Sequence, residues 1–200
     1  MEDALRIILP VYFAAFFGIA FVWRSWAVKK QTGFNPYVIG SEDNAYGYIG
    51  RIFRLTMALV LAVILVYSLY PYFYAYTGPF ELFERDWIRI AGLIMLGASL
   101  ILAAVAQAQM GKSWRIGIDT EHRTELVDSG LFGISRNPIF LALRVTQLGF
   151  LLTLPNVLML VAVVMGEVSM QIQVRLEEEH LRRMHGEAYE AYSRKVRRWL

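Results

Sequence analysis

Five apolar runs constrain this chain before anything else does. "ALRIILPVYFAAFFGIAFVW", "LTMALVLAVILVYSLYPYFYAY" and "IAGLIMLGASLILAAVAQAQM" have the length of helices that cross a hydrocarbon core of about 30 Å, and "IFLALRVTQLGFLLTL" and "NVLMLVAVVMGEVSM" follow as a pair. The sequence is 56% hydrophobic and 18% charged, too little charge to cover a soluble domain of 200 residues. The expected fold is therefore all-α, a polytopic membrane protein with about five transmembrane helices. The last two runs meet at Leu154-Pro155-Asn156, a connection too short and too uncharged to be a water-exposed domain, so they are expected to form a helical hairpin.

Lysine and arginine set the orientation. Five lie between Arg24 and Arg54, four between Lys112 and Arg136 and seven beyond Val174, whereas "TGPFELFERD" between the second and third runs is net acidic. The N-terminus is expected outside and the C-terminus in the cytoplasm, most simply at the inner (cytoplasmic) membrane of a prokaryote. The formal charge of +3 is then a topological signature that lies against anionic membrane lipids, and nucleic acid is not an expected partner. "MEDALRII" has no basic n-region and no small-residue cleavage site, so the first run is expected to stay in the mature protein. Without cysteine, disulfides, thiolate nucleophiles and cysteine-held metals are excluded.

Two segments on the basic side are long enough to build a site. The first, "GKSWRIGIDTEHRTELVDSGLFGISRN", reads as turns around a short extended piece. The second, "RLEEEHLRRMHGEAYEAYSRKVRRWL", reads as a helix broken near Gly186 and followed by an amphipathic helix whose Tyr189 and Tyr192 clamp the tail by packing. The loop "KKQTGFNPYVIGSEDNAYGYIG", with turn signals that include Gly40, reads as a membrane-hugging connector. Trp114 and Trp199, each beside an arginine, read as interfacial anchors. His180 and His185 lack the spacing of a zinc-binding helix, and no metal is expected. No glycine fingerprint of a dinucleotide fold follows a strand. With no repeat and no soluble second domain, residues 1–200 read as a single integral membrane domain.

The polar residues inside the last two runs are the informative ones, because ionisable groups within a span are costly and usually functional. Asn137, Phe140, Arg144 and Gln147 share one face of the fourth helix, which starts at Pro138, a residue suited to a helix's first turn. Glu167, Gln171, Arg175 and Glu178 share a face of the fifth. Counting from the Leu154-Pro155 turn at about 1.5 Å per residue places Arg144 roughly 16 Å and Glu167 roughly 19 Å along, so the two are expected to pair. That pair is the candidate catalytic centre, with a structural lock of the hairpin as the other reading. Gln147, Gln171 and Gln173 are the candidate substrate contacts.

In an antiparallel hairpin, Arg136, Asn137 and Pro138 lie level with Glu177 and Glu178. A cation, an amide, free helix-start N–H groups and two carboxylates then surround one cleft, a set suited to a zwitterion such as S-adenosylmethionine. Here "ELVDSGLFGISRNPIF", followed after one hairpin by "EEEHLRRMHGEAYEAY", resembles the isoprenylcysteine carboxyl methyltransferase and phospholipid methyltransferase superfamily of integral membrane enzymes, over roughly Gly111 to Trp199. The resemblance implies that residues 1–109 supply transmembrane helices one to three and that 110–200 form the cofactor-binding core. In that core Thr124, Glu125, Leu126, Val127 and Phe132 line the S-adenosylmethionine pocket. Asn137, Pro138 and Phe140 stand where the family's His-Pro-x-Tyr meets the cofactor, Glu177 stands where its acidic residue does, and Arg136 and Glu178 are adjacent matches. Gln173 replaces the arginine that carboxyl methyltransferases direct at a substrate carboxylate, so the match supports the cofactor better than a prenylcysteine acceptor. The acceptor stays open as a lipophilic or small molecule. Two alternatives also stay open: an NADPH-dependent membrane reductase of the sterol reductase type, whose C-terminal half is similar, and a non-enzymatic membrane scaffold.

Overall fold

The computed structural model describes residues 1–38, 43–117 and 124–200. The turn expected at Gly40 and residues 118–123 of the glycine-rich loop lie outside them. The main helices are α1 (Glu2–Thr32), α2 (Ala45–Leu69), α3 (Asp86–Met110), α4 (Pro138–Thr153), α5 (Val157–His185) and α6 (Glu187–Lys195), and no strand forms among the described residues. α1, α2, α3 and α5 are each long and apolar enough to cross a membrane. Their outer faces expose aliphatic side chains such as Ile7, Val11, Ile94, Ile101, Val161 and Val164, as lipid contact requires. The chain is an integral membrane protein of all-α architecture.

Local chemistry sets the helix ends. Asn44 and Asn156 cap α2 and α5 by accepting from the N–H groups of Gly47 and Met159, each at 2.9 Å. Pro138 opens α4, and Gly186, at φ +55°, turns the chain from α5 into α6. α1 contains one wide π-helical turn at Gly18–Trp23.

The expected hairpin forms, but α4 is not a fifth full span. Its 16 residues extend only about 24 Å, short of the hydrocarbon core. It can stop early because its end is roofed by protein. The Phe80 N–H donates to the Pro155 carbonyl at 2.8 Å and the Val157 N–H to the Gly78 carbonyl at 2.9 Å, while Asn156 donates to the Leu154 carbonyl. These bonds pair the Leu154 and Pro155 carbonyls and the Val157 N–H instead of leaving them to face lipid. At this acidic end Arg89, buried on α3, pairs with Glu2 of α1 at 3.3 Å and Glu84 at 3.4 Å. Beneath them Leu5, Leu9, Val60, Ile64, Leu96 and Phe150 form the largest apolar core.

α4 lies against α3 along its length because glycines let the backbones meet. A Cβ built on Gly92 falls 2.8 Å from the Gly149 carbonyl oxygen and 2.9 Å from the Thr153 nitrogen. Gly97, on the same helix, has nothing within 4 Å. Gly92→Ala is therefore expected to destabilise the protein by about 1–3 kcal/mol through overpacking, whereas Gly97→Ala should be neutral or stabilising from helix propensity alone. Thermal unfolding in detergent distinguishes the two, and equal melting temperatures for both variants would contradict this packing.

Candidate functional site

At the basic end the bundle does not close into a core. α1 to α5 surround a cavity of about 360 Å³, within the range of small-molecule sites. Phe16, Ala20 and Phe21 of α1, Ile49 and Phe53 of α2, Ile139, Phe140 and Leu143 of α4 and Met170 of α5 make its walls largely apolar and aromatic. Polar groups enter at a few places: Tyr46 from α2, Gln107 from α3, Ser169, Gln173 and Glu177 from α5, and Asn44, Trp114 and Arg115 from the loops. A narrow apolar slot continues inward, sharing Phe16, Phe21, Phe53, Leu143, Ser169 and Met170 and adding Gln147 and Phe150.

Neighbouring carboxylates on α5 take different roles because consecutive helical residues point about 100° apart. Glu177 faces the cavity, held by the Gln173 Nε2–H at 2.8 Å. Glu178, 5% exposed, faces the other way and is saturated. Arg198 grips it through Nε at 3.0 Å and Nη2 at 2.7 Å, Arg136 pairs at 3.2 Å, and the Asn137 amide donates at 3.4 Å. The chain beyond α6 is laid along residues 135–137 by the Arg136 N–H donating to the Arg197 carbonyl and the Asn137 Nδ2–H to the Arg198 carbonyl. Tyr192 donates its hydroxyl to the Phe132 carbonyl at 2.7 Å, and its ring packs edge-on to that of Tyr189. Burial pushes the Tyr189 phenol up to about 12 and the Tyr192 phenol further still, so both stay neutral and serve as the packing clamp expected of them.

The expected Arg144–Glu167 pair forms, with Nε to Oε2 at 2.7 Å and Nη2 to Oε1 at 2.6 Å. Gln171 donates to Glu167 at 2.7 Å, Arg175 donates to Gln171, and the Trp199 ring covers the Arg144 guanidinium at 4.3 Å. Neither member of the pair is among the residues that line the cavity. Of the residues expected at the cofactor, Phe140 and Glu177 line the cavity, as does Gln173. Arg136, Asn137 and Glu178 belong to the network that holds the tail, and Pro138 is buried at the start of α4. Thr124, Glu125, Leu126 and Val127 follow residues 118–123 in neither helix nor strand, with Thr124 against Met184. Gln147 lies beside Gly166 on the inner slot.

Three readings change. The α1–α2 loop is not merely a membrane-hugging connector: the Val38 N–H donates to the Ile116 carbonyl and the Ile116 N–H to the Pro36 carbonyl, each at 2.9 Å, so the loop becomes a wall of the cavity. Trp114 is 2% exposed and packs against Val28 and Ile116, far from an interfacial anchor, because Arg24 ties its turn to α1 through the Gly111 carbonyl. Trp199 is drawn onto Arg144 by the docked tail. Gln107 went unassigned, although a glutamine inside "AAVAQAQM" is a legible signal of a polar site in a span.

A family model described as phospholipid methyltransferase matches residues 87–188, from the start of α3 to α6. No curated protein matches the chain. Glu178→Gln is expected to destabilise the protein by about 3 kcal/mol, because it strands the cations that converge on it, and to expose Arg194–Arg198 to trypsin. Glu177→Gln should leave both melting temperature and tail protection nearly unchanged; a tail as protected in Glu178→Gln as in the parent contradicts the assignment.

Proposed function

The chain belongs to the phospholipid methyltransferase family, whose activity is membrane-embedded methyl transfer, and we propose that it carries a methyl group from S-adenosylmethionine to a lipophilic or small acceptor at the cytoplasmic membrane face. The observation that carries this reading is a single carboxylate, Glu177, presented by Gln173 into an aromatic and apolar cavity that Arg115 also lines. That combination suits a ligand with an ammonium, a carboxylate and a flat aromatic base. The volume of about 360 Å³ accords with a ligand of this size.

When bound, S-adenosylmethionine supplies an electrophilic methyl group on a sulfonium. The protein's own contribution is positioning and exclusion of water. Glu177 offsets an ammonium, Arg115 a carboxylate, and Phe140 and Trp114 provide apolar walls. The slot between Phe53, Leu143 and Phe150 gives an acceptor's hydrocarbon portion a path toward the membrane interior. Arg144 and Glu167 act from outside the cavity, holding α4 and α5 in the register that sets Phe140 beside Glu177. Arg136, Asn137 and Glu178 hold the tail behind it, and Thr124 to Val127 with Phe132 border the same end. The basic end faces the cytoplasm on the strength of its lysines and arginines. The prokaryotic inner membrane and the division into 1–109 and 110–200 belong to the same proposal.

The test is equilibrium binding of S-adenosylhomocysteine to the detergent-purified protein, with NADPH as comparison. Saturable binding is expected, weakened at least tenfold by Glu177→Ala and by Ala103→Phe, which fills the cavity from α3, with melting temperature preserved in the former. NADPH should not compete, since the described lining offers one cation, Arg115, to a ligand with several phosphates. Binding of NADPH in place of S-adenosylhomocysteine would overturn the reading.

A further inference from the structure

The walls of the cavity carry polar side chains that spend a donor on another group of the protein. Gln107 is 4% exposed, and its Nε2–H donates to the Ala20 carbonyl at 2.9 Å, in the π-helical turn of α1. A peptide carbonyl only accepts, so the amide nitrogen must face Ala20 and the amide oxygen is the atom left to the cavity. That oxygen accepts from no described residue. Ser169, also 4% exposed, donates its hydroxyl to the Met165 carbonyl at 2.8 Å, which leaves its lone pairs free. Gln173 spends an Nε2–H on Glu177, and its oxygen likewise has no donor among the described residues. All three line the same cavity.

We propose that Gln107, with Ser169 and Gln173, forms an array of hydrogen-bond acceptors that selects a ligand presenting a neutral donor, a hydroxyl or an amine N–H, at the buried end of the cavity. The inference rests on the methyltransferase reading for the identity of the site and adds what the site discriminates. A carbonyl, ether or carboxylate placed there would set lone pairs against lone pairs. It would also leave buried acceptors unpaired, a penalty that makes such sites reject analogues lacking the donor. The amide of Gln107 is fixed from behind by the Ala20 bond, so it cannot turn its nitrogen to suit the wrong ligand without breaking that contact. The donor can reside on the cofactor, as the amino group of its base, or on the acceptor.

Two ligand pairs, each differing by a single donor, separate these sources in equilibrium binding to the full-length protein. One is S-adenosylhomocysteine against its analogue with hydrogen in place of the base amino group. The other is 4-nonylphenol against its methyl ether, 4-nonylanisole. The parent protein is expected to prefer the donor-bearing member of at least one pair by roughly ten- to hundredfold, and Gln107→Leu and the length-matched Gln107→Met should each reduce that preference to within about threefold. A preference in the first pair assigns the donor to the cofactor, and one in the second assigns it to the acceptor. Equal binding within both pairs, no binding of either pair, or a preference that survives both variants overturns the proposal. The first two outcomes are read on the parent protein, so they do not depend on the variants folding. If S-adenosylhomocysteine does not bind while the phenol pair is still discriminated through Gln107, the methyltransferase reading fails and the acceptor array stands.

Discussion

The carboxylate of Glu178 is the constraint around which the basic end is organised. A charge 5% exposed at the foot of a membrane hairpin persists only if it is neutralised and hydrogen-bonded. Its partners come from two places in the sequence, Arg136 and Asn137 before α4 and Arg198 beyond α6, while Glu178 itself sits on α5. Satisfying one buried ion therefore fixes the spacing of the two hairpin helices and the path of the tail. The helix then decides the rest. Glu177, rotated about 100° from its neighbour, pairs with no cation among the described residues and opens into the cavity, where Gln173 holds it. One of two adjacent glutamates is thus used up by the fold, and the other is left available for a ligand.

The short helix α4 is the second element on which the site depends. A helix too short to cross the bilayer would expose its end to lipid, but the 78–80 segment roofs the turn and pairs its backbone. The glycine contact with α3 draws α4 inward, so it lines the cavity with Ile139, Phe140 and Leu143, while Arg144, about 40° around the helix from Phe140, pairs with Glu167 beside that lining. The ion pair consequently lies on the flank of the cavity. On the proposed reading the polar stripe braces the hairpin beside the cavity, and Trp199 covers its arginine. The polar side chains that line the cavity from α3 and α5 are Gln107, Ser169, Gln173 and Glu177; Gln107 and Ser169 each spend a donor on a helix carbonyl, and Glu177 is the one carboxylate among the described lining residues.

Much of this was legible in the residues. Apolar runs of membrane length can satisfy their backbones only as helices, so the all-α membrane fold follows from composition and length. The Leu154-Pro155-Asn156 hairpin, the break at Gly186 and the Arg144–Glu167 pair follow from turn chemistry and helical counting, both local properties. The methyltransferase resemblance follows from residues close together in the last two-fifths of the chain, and the family match agrees with it.

What local spacing cannot supply is the direction in which a helix face looks. Helical periodicity groups Asn137, Arg144, Glu167 and Glu178 on stripes, but only the packing of α4 between α3 and α5 shows which stripe meets the cavity. The far walls come from α1 and α2, and Gln107 reaches Ala20 across 87 positions of sequence. Trp114 leaves the membrane interface because Arg24, equally remote from its turn, holds Gly111 in place. The sequence by itself determined the solvent this protein folds in, the helices it makes and the chemistry at hand, because each depends on neighbours within a few turns. Tertiary structure decided which polar residues serve the fold and which remain for a ligand, because that depends on whether a partner from a distant segment arrives to satisfy them.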